Sequence, residues 1–349
     1  MRPQTSTHDL QGSAMSFNYS VFKVLSILMV VTGHWHFNFE LPLWIPTTIG
    51  LFIFAFSSAL FTTRIYGPDL DVGAFWGKKL QRLLVRYWFL LACLSVLLLV
   101  RGGTVFHWHS LVHVFGLSGF LNVFGQNQSG LGAGLWFFTL LLLFYVAYPP
   151  LVRMFAASGN DFFPPLIATT FFVFMDRQIN LGFSLWLTTL GFILGVFAGL
   201  YGTRIAPRVS LGLAIGALAL MLGLNIALGY KEANSVLLML ACISTNLWLM
   251  KTRIPQWRPL RLLARLENCL LEIFIIHSYL FIHPTGNAAV DFCISVALII
   301  PAAWCLNVVA TKLVAFLFAA RPVARAVQYC EKRGRALLAI ILVSFLWLK

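Results

Sequence analysis

Long apolar runs follow one another along the chain, broken by short polar segments that carry Lys, Arg, Gly or Pro. A bilayer core takes about 20 apolar residues per helix, with a range of about 17–25. By that measure the pattern predicts spans at 17–39, 44–63, 83–101, 135–152, 164–175, 182–202, 209–229, 233–250, 269–284 and 289–318. The run 164–175 is short and borrows flanking residues. These make an all-α integral membrane protein: a bundle of about ten transmembrane helices around an enclosed central site. A further apolar run at 336–348 is too short for an untilted span, and both an interfacial and a crossing placement stay open. Residues 1–16 are polar and read as a disordered cytoplasmic tail, 17–320 as the membrane domain, and 321–349 as a basic C-terminal segment. Without a charged-then-apolar leader pattern, the first span is expected to be retained.

Composition removes the alternative of two soluble domains. Only 10% of the 349 residues are charged and 60% are hydrophobic, whereas ordinary globular domains carry about 25% charge. The net charge of +14 suggests nucleic acid only until the basic residues are placed. With the N-terminus in the cytoplasm, all 25 Lys and Arg except Arg101, Arg177, Lys231 and Lys349 fall on the inner side. That is the orientation signal of a multi-pass membrane protein. The six cysteines lie mostly within apolar stretches, with no metal-binding spacing, and read as small core residues. All polar connections are short except 102–134.

Ionisable groups at membrane depth are costly and therefore point to function. In the first span, Lys23 lies near the cytoplasmic end and His34 eleven residues further on. At 100° per residue this is three turns plus about 20°, so both share one face, about 16–17 Å apart along the axis. That is close to the reach of a pantetheine arm. A cation at the mouth suits the phosphates of a coenzyme A donor, and the imidazole would meet its thioester inside the membrane. A snorkelling Lys and a His bonded to a neighbouring helix explain the same residues without chemistry. Lys79, Arg82 and Arg86, spaced i, i+3, i+7, stripe one face of a helix entering the membrane, suited to nucleotide phosphates or anionic lipid. His277, mid-span, reads chiefly as a structural His bonded across helices and secondarily as a pore-lining group. Trp136 and Tyr145 are possible channel-lining residues. His107, His109 and His113 lack partnering carboxylates or thiols, and no metal is expected.

Five segments carry a resemblance. Lys23-x10-His34 resembles the Arg/Lys-x10-His signature of the membrane-bound acyltransferase 3 family. GLFIFAFSSALF (Gly50–Phe61), KKLQRLLVRYW (Lys78–Trp88), LWFFTLLLLFYVAYPPL (Leu135–Leu151) and LLEIFIIHSYLF (Leu270–Phe281) are similar to its later segments in the same order. The likeness covers about residues 17–320. Lys23 stands where Arg is commoner, which keeps charge but gives up bidentate phosphate contact, and Arg86 stands where Pro is usual.

The resemblance implies a bacterial inner-membrane O-acyltransferase. It would move an acyl group, by default acetyl, from cytosolic acetyl-CoA or another acyl-CoA to a hydroxyl of an exported or lipid-linked glycan. It also tips Lys79 and Arg82 toward donor binding beside Lys23, with His34 as general base or transient nucleophile. Membrane lipid, donor and glycan are the expected partners, and nucleic acid is not. A secondary transporter or lipid-linked-glycan flippase, with His34, His277 and Glu272 in a proton relay, is the competing reading. Against it stand the scarcity of charge within the spans and the absence of paired broken helices in two halves.

Overall fold

The computed structural model describes residues 7–35, 44–107, 109–127, 129–132, 134–179 and 184–319. The expected C-terminal basic segment and its apolar run 336–348 lie outside the described residues. Those described contain helices and no strand. They run α1 Thr7–His34, α2 Trp44–Tyr66, α3 Val72–Val100, short α4 Ser110–Val114 and α5 Ser118–Val123, then α6 Trp136–Ser158, α7 Phe163–Gln178 and α8 Leu185–Tyr201. There follow α9 Pro207–Leu228, α10 Asn234–Lys251, α11 Arg258–Arg265, α12 Leu270–Ile276 and α13 Ala288–Ala319. The all-α membrane architecture stands.

The expected number of spans needs correcting. Among the described residues, seven helices are long and apolar enough to cross a membrane: α1 from Ser13, α2, α3, α6, α9, α10 and α13. The segment 164–175 falls in α7, whose 16 residues reach about 24 Å at 1.5 Å each. The segment 182–202 falls in α8, of 17 residues. The segment 269–284 is not one helix. A 3₁₀ turn at Leu266–Cys269, α12 and a second 3₁₀ turn at His277–Tyr279 succeed one another, and the helix then stops. Hydropathy counts apolar residues but does not register a side chain that competes for helix carbonyls. His277 Nδ1 lies 2.7 Å from the Phe274 carbonyl and 3.2 Å from that of Ile273. Asp291 then fixes the exit, accepting from the Thr285 and Gly286 amides at 2.9 and 3.1 Å. The tail expected over 1–16 is helical from Thr7 onward.

The chain divides into two compact units, Met1–Asp69 with Ala147–Ile300, and Leu70–Val146 with Pro301–Lys349. In the first, α2 and α8 approach closely because α8 presents Gly191, Gly195 and Gly199 at four-residue intervals. A Cβ on Gly195 would lie 2.8 Å from the Ala59 methyl, and one on Gly191 3.1 Å from the Phe52 carbonyl oxygen. Lipid tails are as apolar as leucine, so such packing, rather than hydrophobic transfer, joins membrane helices. The start of α1 is tied to the end of α10. Asn18 donates to the Leu249 and Thr252 carbonyls at 3.0 and 2.8 Å, satisfying groups a helix terminus leaves open. The Tyr19 hydroxyl donates to the Asn246 carbonyl at 3.1 Å.

In the second unit Asp71 caps α3, accepting from the Gly73 and Ala74 amides at 2.9 and 3.2 Å. The segment after α3 is clamped onto α6. Tyr87 stacks on Phe138 with ring centroids 4.0 Å apart and donates to the His113 carbonyl at 2.6 Å. Gly116, at φ +73°, leaves no room for a side chain, since a Cβ there would lie 2.6 Å from the Phe138 ring.

Candidate active site

One face of α1 runs along the irregular segment 266–283, within the first unit. At the lower end Lys23 Nζ lies 2.7 Å from Glu267 Oε1, and Ser20 donates to the other carboxylate oxygen. The ammonium also stands 5.3 Å from the centre of the Phe61 ring. At the upper end His34 Nδ1 lies 2.7 Å from His277 Nε2, with the two rings only 17° from parallel. His277 is wholly buried and His34 half-buried. The next residue, Trp35, stacks on His283 at 4.6 Å and meets Phe281 edge-on at 5.1 Å. The end of α1 is therefore gripped by aromatic rings, and the imidazole just inside it is held at a defined place.

The helix itself sets the spacing of the two functional ends, about 16–17 Å along its axis. Chemically, one end offers a cation and the other an imidazole able to exchange a proton or take an acyl group. The cation is already neutralised by Glu267. An incoming phosphate must displace that carboxylate or share the ammonium with it.

The other nominated residues belong to the second unit. Lys79 Nζ sits 4.9 Å from the Tyr145 ring centre and 5.9 Å from that of Phe75. This brings together a residue expected to bind donor and one expected to line a channel. Arg82 is exposed, Trp136 is buried, and Arg86 donates to the Thr311 hydroxyl at 2.8 Å. The histidines of the 102–134 segment also gather. His107 and His109 are 3.1 Å apart through their Nδ1 atoms, and His113 Nδ1 lies 2.8 Å from the Ser118 hydroxyl. Burial pulls the His113 imidazole down to about 4, and His109 adds to the shift. Among the described residues no group of His, Cys, Asp and Glu is arranged to hold a metal ion.

Two features escaped sequence reasoning. Glu267 is 244 residues from Lys23, and the His34–His277 contact joins positions 243 apart. Helical periodicity relates neighbours on one rod and carries no signal for either pairing. Of the cysteines read as core, Cys242 and Cys269 are buried, whereas Cys293 and Cys305 are exposed on α13.

Residues 18–320 match the family model described as the acyltransferase domain, acyltransferase 3. No curated protein and no solved structure matches.

Proposed function

Because this chain belongs to the acyltransferase 3 family, we propose that it is a multi-pass membrane enzyme transferring an acyl group from acyl-CoA, with acetyl the default, to a hydroxyl of an exported glycan. In this reading the N-terminus lies in the cytoplasm of a bacterial inner membrane, and the donor enters from the basic side. Lys23 takes donor phosphate in exchange for Glu267, and Lys79 and Arg82 contribute further positive charge. Positive groups at a cytoplasmic face attract a polyanion such as coenzyme A over several ångströms before contact.

His34 is the reacting group. As general base it removes the acceptor hydroxyl proton while the oxygen bonds to the thioester carbonyl carbon. The C–S bond then breaks and the imidazolium returns the proton to the departing thiolate. As nucleophile the same ring takes the acyl group first, releases thiolate, and passes the acyl group to the acceptor. Exclusion of water by the membrane segments protects the thioester in either route. Trp136 and Tyr145 are proposed to line a channel.

The observation that supports the reading most is the fixing of His34 by a buried partner, on the α1 face that also carries Lys23. The test is transfer of label from radioactive acetyl-CoA into the glycan fraction of membranes carrying the protein. His34→Ala is expected to abolish transfer, a loss of at least about 100-fold, with membrane insertion unchanged. Near-normal transfer by that variant would end the proposal.

A further inference from the structure

Both nitrogens of His277 have partners, and the partners differ in kind. Nδ1 faces the Phe274 carbonyl at 2.7 Å, with the Ile273 carbonyl at 3.2 Å. A carbonyl oxygen only accepts, so Nδ1 must carry the hydrogen. In the neutral ring the lone pair is then on Nε2, the atom 2.7 Å from His34 Nδ1. The Ser278 hydroxyl, 3.2 Å from the same Nε2, can donate to it as well. Two lone pairs do not make a hydrogen bond, so His34 Nδ1 must be the donor. The neutral His34 ring consequently keeps its lone pair on Nε2.

We infer that His277 is a positioning residue for His34: through one hydrogen bond it selects the His34 tautomer and makes Nε2 the reacting nitrogen. The inference rests on the proposed role of His34 and deepens it. The choice is dictated ultimately by the backbone, because carbonyls three and four residues earlier fix the His277 hydrogen. The 3₁₀ turn that interrupts the helix at His277 is the local geometry in which this back-bonding and the bond to α1 coexist. When His34 Nε2 accepts a proton, or an acyl group, positive charge spreads to Nδ1–H. The hydrogen bond to His277 Nε2 then becomes charge-assisted and strengthens. Orienting an imidazole through its second nitrogen is how a reacting histidine is generally held in the productive tautomer. Here a neutral ring does so in place of a carboxylate, which suits a wholly buried position where an unpaired charge is costly.

Nitrogen-15 spectra of the full-length protein in lipid nanodiscs, labelled at histidine, read the tautomer directly, with His34→Ala supplying the assignment. The wild type is expected to show His34 with hydrogen on Nδ1 and none on Nε2. His277→Gln keeps an acceptor, and is expected to preserve that tautomer and turnover to within about tenfold. His277→Leu removes the acceptor. It is expected to mix the tautomers and lower kcat about 100-fold, with the KM for acetyl-CoA unchanged within about twofold. A structural role alone would leave the tautomer in place and lower the amount of folded protein instead. Wild-type His34 protonated on Nε2 would overturn the inference while leaving His34→Ala to decide the proposed reaction. The expected tautomer in a protein whose His34→Ala variant still transfers acyl groups would overturn the role of His34, and with it any catalytic purpose for the pair. Should His277→Leu fail to fold, the wild-type spectrum and His277→Gln still decide the matter.

Discussion

Lys23 occupies an unusual position for a phosphate-binding residue, because it is already paired with Glu267, whose other carboxylate oxygen accepts from Ser20. An ammonium in this state does not wait unsolvated in the membrane, and it can exchange one anion for another at modest cost. Lys23→Ala is therefore expected to raise the KM for acetyl-CoA about tenfold, the scale of one charged hydrogen bond, and to leave kcat nearly unchanged. Glu267→Gln removes the competing carboxylate and is expected to lower that KM. Steady-state kinetics in membranes checks both, and a fall in kcat at constant KM for Lys23→Ala would contradict the donor role. The positions of Lys23 and His34 were legible in the sequence because a helix relates residues eleven apart by local geometry alone. Glu267 was not, since nothing at 244 residues' separation ties a carboxylate to that ammonium. The sequence marks His277 chiefly as a histidine bonded across helices. Its partner could not be named, because that depends on how α1 lies against a segment late in the chain.

At the scale of elements, close approach of helices and local breaks decide what the hydropathy pattern leaves open. α8 is short and apolar, and its glycines let the α2 backbone come within contact distance. Gly195→Leu is expected to destabilise the protein by about 1–3 kcal/mol, the usual cost of overpacking. Gly212→Leu on α9, where a Cβ meets nothing within 4 Å, is expected to cost far less. Thermal unfolding in detergent compares the two, and equal losses would refute the packing account. The clamp formed by α4 and α6 adds a pH dependence. His113 is neutral in the fold and its folded value, about 4, lies below the roughly 6.5 of a free imidazole. The unfolded segment thus binds more protons between those values, so stability rises with pH across that window and drops as the solution is acidified. The contribution is complete above about pH 6.5 and lost on approaching pH 4. Hydrogen exchange over 104–135, corrected for intrinsic rates, is expected to quicken as pH drops through this range, and His113→Gln to flatten the response. The span at 269–284 illustrates what the sequence hid. Its apolar content reads as a continuous helix, whereas the histidine within it bends hydrogen bonding toward 3₁₀ geometry.

For the whole molecule, class was written in composition: a chain this poor in charge has no way to cover a water-facing surface, and the described residues contain seven long apolar helices. Orientation and sidedness belong to the proposed function, and they rest on the basic groups at the start of α3, between α8 and α9, and around α11. The most direct measurement uses the protein in proteoliposomes of uniform, independently determined orientation, with labelled acetyl-CoA supplied to one side at a time and glycan acceptor to the other. The account predicts release of coenzyme A and labelling of the acceptor only when donor is supplied on the side proposed to be cytoplasmic. Thioester turnover from the opposite face, or from neither, would contradict it.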